Sequence, residues 1–163
     1  MAASGWRWLP VTIVVIVSDQ LAKFLVVQHV ALYSSISVLP VLDISLRYNK
    51  GAAFSFLEGA SGWQRWFFTV LALGVAALIL IWMGRLKARA QWLLCLSLAF
   101  ILGGALGNVI DRLRLGHVID FIVAHWHHAE FPAFNVADSS ITIGAALLLF
   151  DALLESRRAA RRT

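Results

Sequence analysis

Trp66-Phe-Phe-Thr-Val-Leu-Ala-Leu-Gly-Val-Ala-Ala-Leu-Ile-Leu-Ile-Trp-Met83 runs without a charged residue, and a second charge-free stretch follows from Trp92 to Ile110. A helix needs about 20 predominantly apolar residues to cross a bilayer. Both stretches have that length. The connection between them, Gly84-Arg-Leu-Lys-Ala-Arg-Ala90, is short and basic, which makes the two helices antiparallel neighbours. Working outward, Trp8 to Val27 and Val136 to Leu154 also qualify. The first of these contains Asp19 and Lys23; the second has Asp138 near its start and Asp151 near its end. The reading is an all-α membrane protein, one integral domain over residues 1–163. Its four transmembrane helices lie at about 8–27, 66–83, 92–110 and 136–154, with long loops at about 29–65 and 111–135.

Composition agrees. Of 163 residues, 60% are hydrophobic and 14% charged, whereas a soluble domain carries charge on about a quarter of its residues. The apolar excess is too large for one small core, and disordered chains are polar and poor in aromatics. The net charge of +5 does not point to nucleic acid. Four of the 14 basic residues fall in the last seven positions and three more between Arg85 and Arg89, as membrane-flanking clusters. Trp6, Trp8, Trp63, Trp66, Trp82 and Trp92 sit near the ends of the apolar runs, where amphipathic rings favour the interface. With Cys95 alone, no intrachain disulfide is possible.

Basic residues in short loops set orientation. One side collects Arg7, Arg85, Lys87, Arg89 and the four C-terminal arginines; the other has Arg47, Lys50, Arg65, Arg112 and Arg114. Both termini are therefore expected in the cytoplasm and the two long loops outside it. Asp19 and Lys23 interrupt the first apolar run and no small-residue cleavage site follows, so that run is read as an anchor rather than a cleaved leader. In the first long loop, Leu42-Asp-Ile-Ser-Leu-Arg-Tyr-Asn49 alternates apolar and polar residues, the period of a half-buried strand. Asn49-Lys50-Gly51 supplies a turn, and Ala52 to Phe56 is expected to return as its partner. The outcome is a small amphipathic sheet in the first outer loop, resting on the phospholipid bilayer.

An ionisable side chain at membrane depth costs about 2.5–3.5 kcal/mol on insertion scales, so each one needs a partner or a role. Asp19 and Lys23 are four residues apart, on one helix face and in the favourable order for a self-neutralising pair. Gly103, Gly104 and Gly107 contain a G-x-x-x-G spacing, which reads as close helix packing. Asn108, Asp111 and Arg112 follow at the mouth of that helix. Asp120 lies in the otherwise apolar Val118-Ile-Asp-Phe121, and Asp138 in Phe134-Asn-Val-Ala-Asp138 at the entrance to the fourth helix. Singly, Asp120 reads as an interfacial carboxylate and Asp138 as a helix cap, a task Asn135 or Ser139 could take equally well. Together they flank one loop and can meet at one depth. Two facing carboxylates cannot both ionise easily, so they share a proton and can act as acid and base toward a water and a carbonyl.

Other chemistries find less support. There is no His-Glu-x-x-His or Gly-x-Ser-x-Gly, and His125-Trp-His-His128 with Glu130 lacks a helical pair of ligands. Cys95 sits far along the third helix from the carboxylates and reads as a small core residue. A proton-relay transporter or channel would distribute its carboxylates through the bilayer, whereas Asp111, Asp120 and Asp138 gather at one side. A non-catalytic membrane subunit is the remaining alternative.

Taken in order, Asp19-Gln-Leu-Ala-Lys23, Asn49-Lys-Gly-Ala-Ala-Phe54, Gly103-Gly-Ala-Leu-Gly-Asn-Val-Ile-Asp-Arg112, Val118-Ile-Asp-Phe121 and Phe134-Asn-Val-Ala-Asp138 resemble the bacterial lipoprotein signal peptidase (signal peptidase II) family. Ala22 stands where that family frequently has Thr. The resemblance implies an inner-membrane aspartyl endopeptidase that cuts diacylglyceryl-modified prolipoproteins on the N-terminal side of the lipidated cysteine. It implies Asp120 and Asp138 as the catalytic pair. Asn49, Gly51, Asn108, Arg112, Asn135 and Ala137 would line the site, with Asp19 and Lys23 supporting it. No metal or organic cofactor is implied, and globomycin-type inhibitors are expected to occupy the site.

Overall fold

In hydrocarbon every backbone N–H and C=O must be satisfied within the segment, which leaves helices as the solution for long apolar runs. The computed structural model describes residues 3–51, 62–126 and 129–160. It forms α1 (Leu9–His29), α2 (Trp63–Arg85), α3 (Trp92–Leu115) and α4 (Val136–Ala160), and among the described residues these are the four helices long and apolar enough to cross a membrane. The central one is α3: 72% of its apolar span is buried, against 17–22% in the other three. Small residues allow this closeness. A Cβ at Gly103 would lie 2.7 Å from the Val15 Cβ of α1, and one at Gly104 would collide with the carbonyl oxygen of Ala137 in α4. A Cβ at Gly107 would come within 2.9 Å of Asp19 Oδ2. The G-x-x-x-G spacing is thus a packing device on both sides of α3.

The N-terminal residues tie to the α2–α3 connection. Ala88 N–H donates to Ala3 O at 2.9 Å and Gly5 N–H to Leu86 O at 3.1 Å. At the opposite end of the bundle, β1 (Ser35–Leu39), β2 (Leu42–Asn49), β3 (Val118–Trp126) and β4 (Ala129–Glu130) form an antiparallel sheet in the order β1-β2-β3-β4. Leu46, Ile119 and Phe121 pack with Val30 at the end of α1. The register sets Arg47 opposite Asp120 and Asn49 opposite Val118, so alternation brings Asn49 and Asp120 to the other face.

The strand read at 42–49 is present, but the sheet is not confined to the first loop. Its central partner β3 comes from the second loop, and β1 supplies the other neighbour. The return strand expected at 52–56 lies outside the described residues. The third helix runs on past Ile110 to Leu115 and stops at Gly116, whose φ of 82° is left-handed. The fourth runs past Leu154 to Ala160. Hydropathy marks the apolar part of a helix rather than its last hydrogen bond, and polar residues continue both helices.

Candidate active site

Asp19 and Lys23 on α1 do form the expected ion pair, at 2.7 Å, but a third group completes it. Lys23 Nζ also lies 2.7 Å from Asp111 Oδ2 on α3 and donates to Asn108 Oδ1 at 3.1 Å. All three ionised residues are at most 2% exposed. Gln20 supplies the remaining donor, reaching Asp111 Oδ1 at 2.8 Å and Asp19 Oδ2 at 3.2 Å. The two carboxylates also hold backbone: Asp19 Oδ1 accepts from Ala137 N–H at 2.9 Å, and Asp111 Oδ2 from Ile119 N–H at 3.2 Å. This knot fastens α1, α3, β3 and the start of α4 together.

Beside it lie Asp120 and Asp138, both on one cavity of about 600 Å³. Asn135 is the N-cap of α4 and builds the corner between them. Its Oδ1 accepts from Asp138 N–H at 2.8 Å while Asp138 Oδ2 accepts from Asn135 N–H at 3.3 Å, the reciprocal arrangement of a capping box. The Asn135 side-chain amide donates to Asp120 Oδ1 at 2.8 Å and to Asn108 Oδ1 at 3.1 Å. Asn108 in turn donates to Asp138 Oδ1 at 2.8 Å, and Asn49 to Asp120 Oδ2 at 2.9 Å. Among the described residues neither carboxylate forms an ion pair, and every hydrogen bond either accepts comes from an amide. Burial pushes the Asp120 carboxyl up to about 7, with Asp138 adding to the rise and the Asn49 and Asn135 hydrogen bonds opposing it.

Asn49, Gly51, Asn108 and Arg112 line the same cavity. Gly51 N–H donates to Asn49 Oδ1 at 3.0 Å, which orients the Asn49 amide toward Asp120. The Arg112 guanidinium sits 5.6 Å from the Phe68 ring centre. Asn135 is fully buried behind the carboxylates. Ala137 is buried against Gly107, and with Asp19 and Lys23 it lies behind the cavity rather than on its wall. Sequence reasoning did not single out Gln20, although an amide next to Asp19 in an apolar helix was a signal for it. It also passed over the apolar lining of the cavity, to which Phe131, Pro132, Phe134, Ile141 and Ile143 contribute. Of the histidine-rich stretch, His125 faces Asp43 at 3.3 Å and Glu130 pairs with Arg47 at 3.1 Å. His127 and His128 lie outside the described residues.

Fold and site together define a polytopic membrane protein with a largely apolar cavity that bears two carboxylates at one end of its helices. Residues 11–154 match the family model described as signal peptidase (SPase) II. The chain is 51% identical over 146 residues to a lipoprotein signal peptidase of Pseudomonas aeruginosa, covering 88% of this chain and 86% of that one. It is 47% identical over 150 residues to one of Shewanella woodyi, covering 92% and 85%. A solved structure described as a bacterial membrane enzyme superposes with a TM-score of 0.83 at 29% identity, covering 96% of this chain and 94% of its own. The chain belongs to the signal peptidase II family, membrane proteases that process prolipoproteins. The four helices fit a multi-pass protein of the inner membrane.

Proposed function

We propose that this chain is an aspartyl endopeptidase that removes signal peptides from diacylglyceryl-modified prolipoproteins, cutting N-terminal to the lipidated cysteine, with Asp120 and Asp138 as the catalytic pair. One observation carries the reading: two carboxylates, Asp120 buried and Asp138 half-buried, share a cavity and are held by amides, with no ion pair to either among the described residues. Carboxyls placed so hold one proton between them. The ionised member takes a proton from a water as the water oxygen bonds to the scissile carbonyl carbon. The protonated member gives its proton to the carbonyl oxygen. The tetrahedral intermediate then collapses with cleavage of the C–N bond, and the leaving nitrogen takes up the proton removed from water. One hydroxyl of the intermediate returns its proton to the carboxylate that had acted as the acid, which restores the shared proton. With its carboxyl pushed up to about 7, Asp120 can hold the shared proton near neutral pH.

Asn49 and Asn108 keep the two carboxylates aimed at the cavity, and Gly51 lines it beside them while its N–H holds the Asn49 side chain. Arg112 offers guanidinium donors to a substrate carbonyl. Asn135 and Ala137 fix the start of α4. The sheet end of the bundle is the extracytoplasmic side, where a lipidated cysteine at the outer leaflet meets the pair, and both termini are cytoplasmic. A reporter active only in the cytoplasm, fused to Thr163, should give signal. Globomycin-type inhibitors would occupy the same cavity. The test of the function is incubation of the purified protein with a lipidated prolipoprotein and an unlipidated control. Cleavage of the lipidated substrate alone is expected; no cleavage, or equal cleavage of both, contradicts the reading.

A further inference from the structure

The charged knot behind the cavity has a geometry that plain neutralisation does not require. Asp19 takes the N–H of Ala137, the residue immediately before Asp138. Asp111 takes the N–H of Ile119, the residue immediately before Asp120. Each structural carboxylate therefore anchors the backbone next to one member of the pair, and the Lys23 ammonium joins the two anchors at 2.7 Å each. Its third donor goes to Asn108 Oδ1. That oxygen also receives the Asn135 amide, so the amide nitrogen of Asn108 is left to point at Asp138. An ammonium has three donors, and all three are used to relate Asp120 to Asp138. Gln20 serves the second carboxylate without introducing a second cation.

We propose that Lys23 is a positioning residue for the reaction: by bridging Asp19 and Asp111, and by fixing the Asn108 amide, it sets the separation and orientation of Asp120 and Asp138. The role rests on the aspartyl reading above and goes beyond support of the fold. A merely structural lysine would affect melting. A yoke between two reacting groups affects kcat, because displacement by about 1 Å can cost about 10²-fold in rate, while the substrate-lining surfaces and hence KM stay as they are.

The test is the double variant Lys23→Met/Asp111→Asn. It removes one positive and one negative charge, so the cluster keeps its single net negative charge. The introduced side chains fill the volumes, and an amide oxygen at 111 can still accept the Ile119 N–H. Steady-state cleavage of lipidated prolipoprotein and a thermal melt are measured on this variant and on Asp120→Asn. The expected result is a folded double variant with kcat reduced at least about tenfold and KM within about twofold of the parent. Near-native kcat overturns the positioning role, and so does a loss carried by KM. Asp111→Asn alone takes the charge from one arm of the yoke and keeps the Lys23–Asp19 pair. Should the double variant fail to fold, that single variant carries the test, with a smaller loss confined to kcat expected and near-native kcat contradicting the proposal. An Asp120→Asn protein with near-native turnover would instead defeat the aspartyl reading itself, so the two failures are distinguishable.

Discussion

The molecule holds two carboxylate pairs side by side at one end of its bundle, and their surroundings are opposite. Asp19 and Asp111 enclose an ammonium, accept backbone N–H groups and lie off the wall of the cavity that the other pair lines. Among the described residues, Asp120 and Asp138 accept only amide hydrogen bonds, and they open onto a space large enough for a peptide segment. A buried carboxylate with a cation close by stays ionised and inert. One without such a partner is poised to gain or lose a proton. Placement at membrane depth therefore does not mark a residue as reactive; the nature of its donors does.

Substitutions should separate the two pairs in kind as well as size. The largest effect is expected on turnover: Asp120→Asn or Asp138→Asn should lose about 10²–10⁴-fold in cleavage rate. Their melts should hold or rise, because a charge that was costly to bury is removed. Next comes Lys23→Met, which leaves two buried carboxylates without their cation. Breaking a buried pair in this way destabilises by about 3–5 kcal/mol, and a fall in melting temperature would show it. Asp19→Asn should be milder, about 1–3 kcal/mol, since Lys23 keeps Asp111 at 2.7 Å. Equal losses for these two would mean that Asp111 does not share the charge.

The smallest effect depends on pH. Unfolded, Asp120 gives up its proton near 3.8; folded, it keeps it to about 7. Between those values the folded chain binds more protons at Asp120, so raising pH destabilises the parent more than Asp120→Asn, which keeps only the Asp138 carboxyl of the pair. The melting advantage of that variant should grow from about pH 4 to about pH 7 and then level off. An advantage that shrinks over this window would place the proton elsewhere.

Much of this could be read from the sequence where one physical signal dominated. Charge-free runs gave α2 and α3, period-two alternation gave β2, and the motif resemblance pointed to Asp120 and Asp138, which the fold brings to one cavity. Strand β3 was harder to see. Val118-Ile-Asp-Phe-Ile-Val-Ala-His-Trp126 lacks clean alternation because one face packs on α1 while the other borders the apolar cavity wall. Its pairing with β2 spans two loops, which no local pattern encodes. Asp111 and Arg112 looked like the end of a helix, yet Asp111 is buried on Lys23, and the turn to the sheet waits for Gly116. The capping box at Asn135 was visible only as alternatives, since several polar residues there could cap α4.

The most direct measurement of the central claim is cleavage of lipidated prolipoprotein by folded Asp120→Asn, Asp138→Asn and the double variant. If the two carboxyls act as one proton-sharing unit, the three proteins should be about equally inactive. A folded single variant with near-native turnover, or a double variant whose loss is the product of the two single losses, would contradict the shared pair.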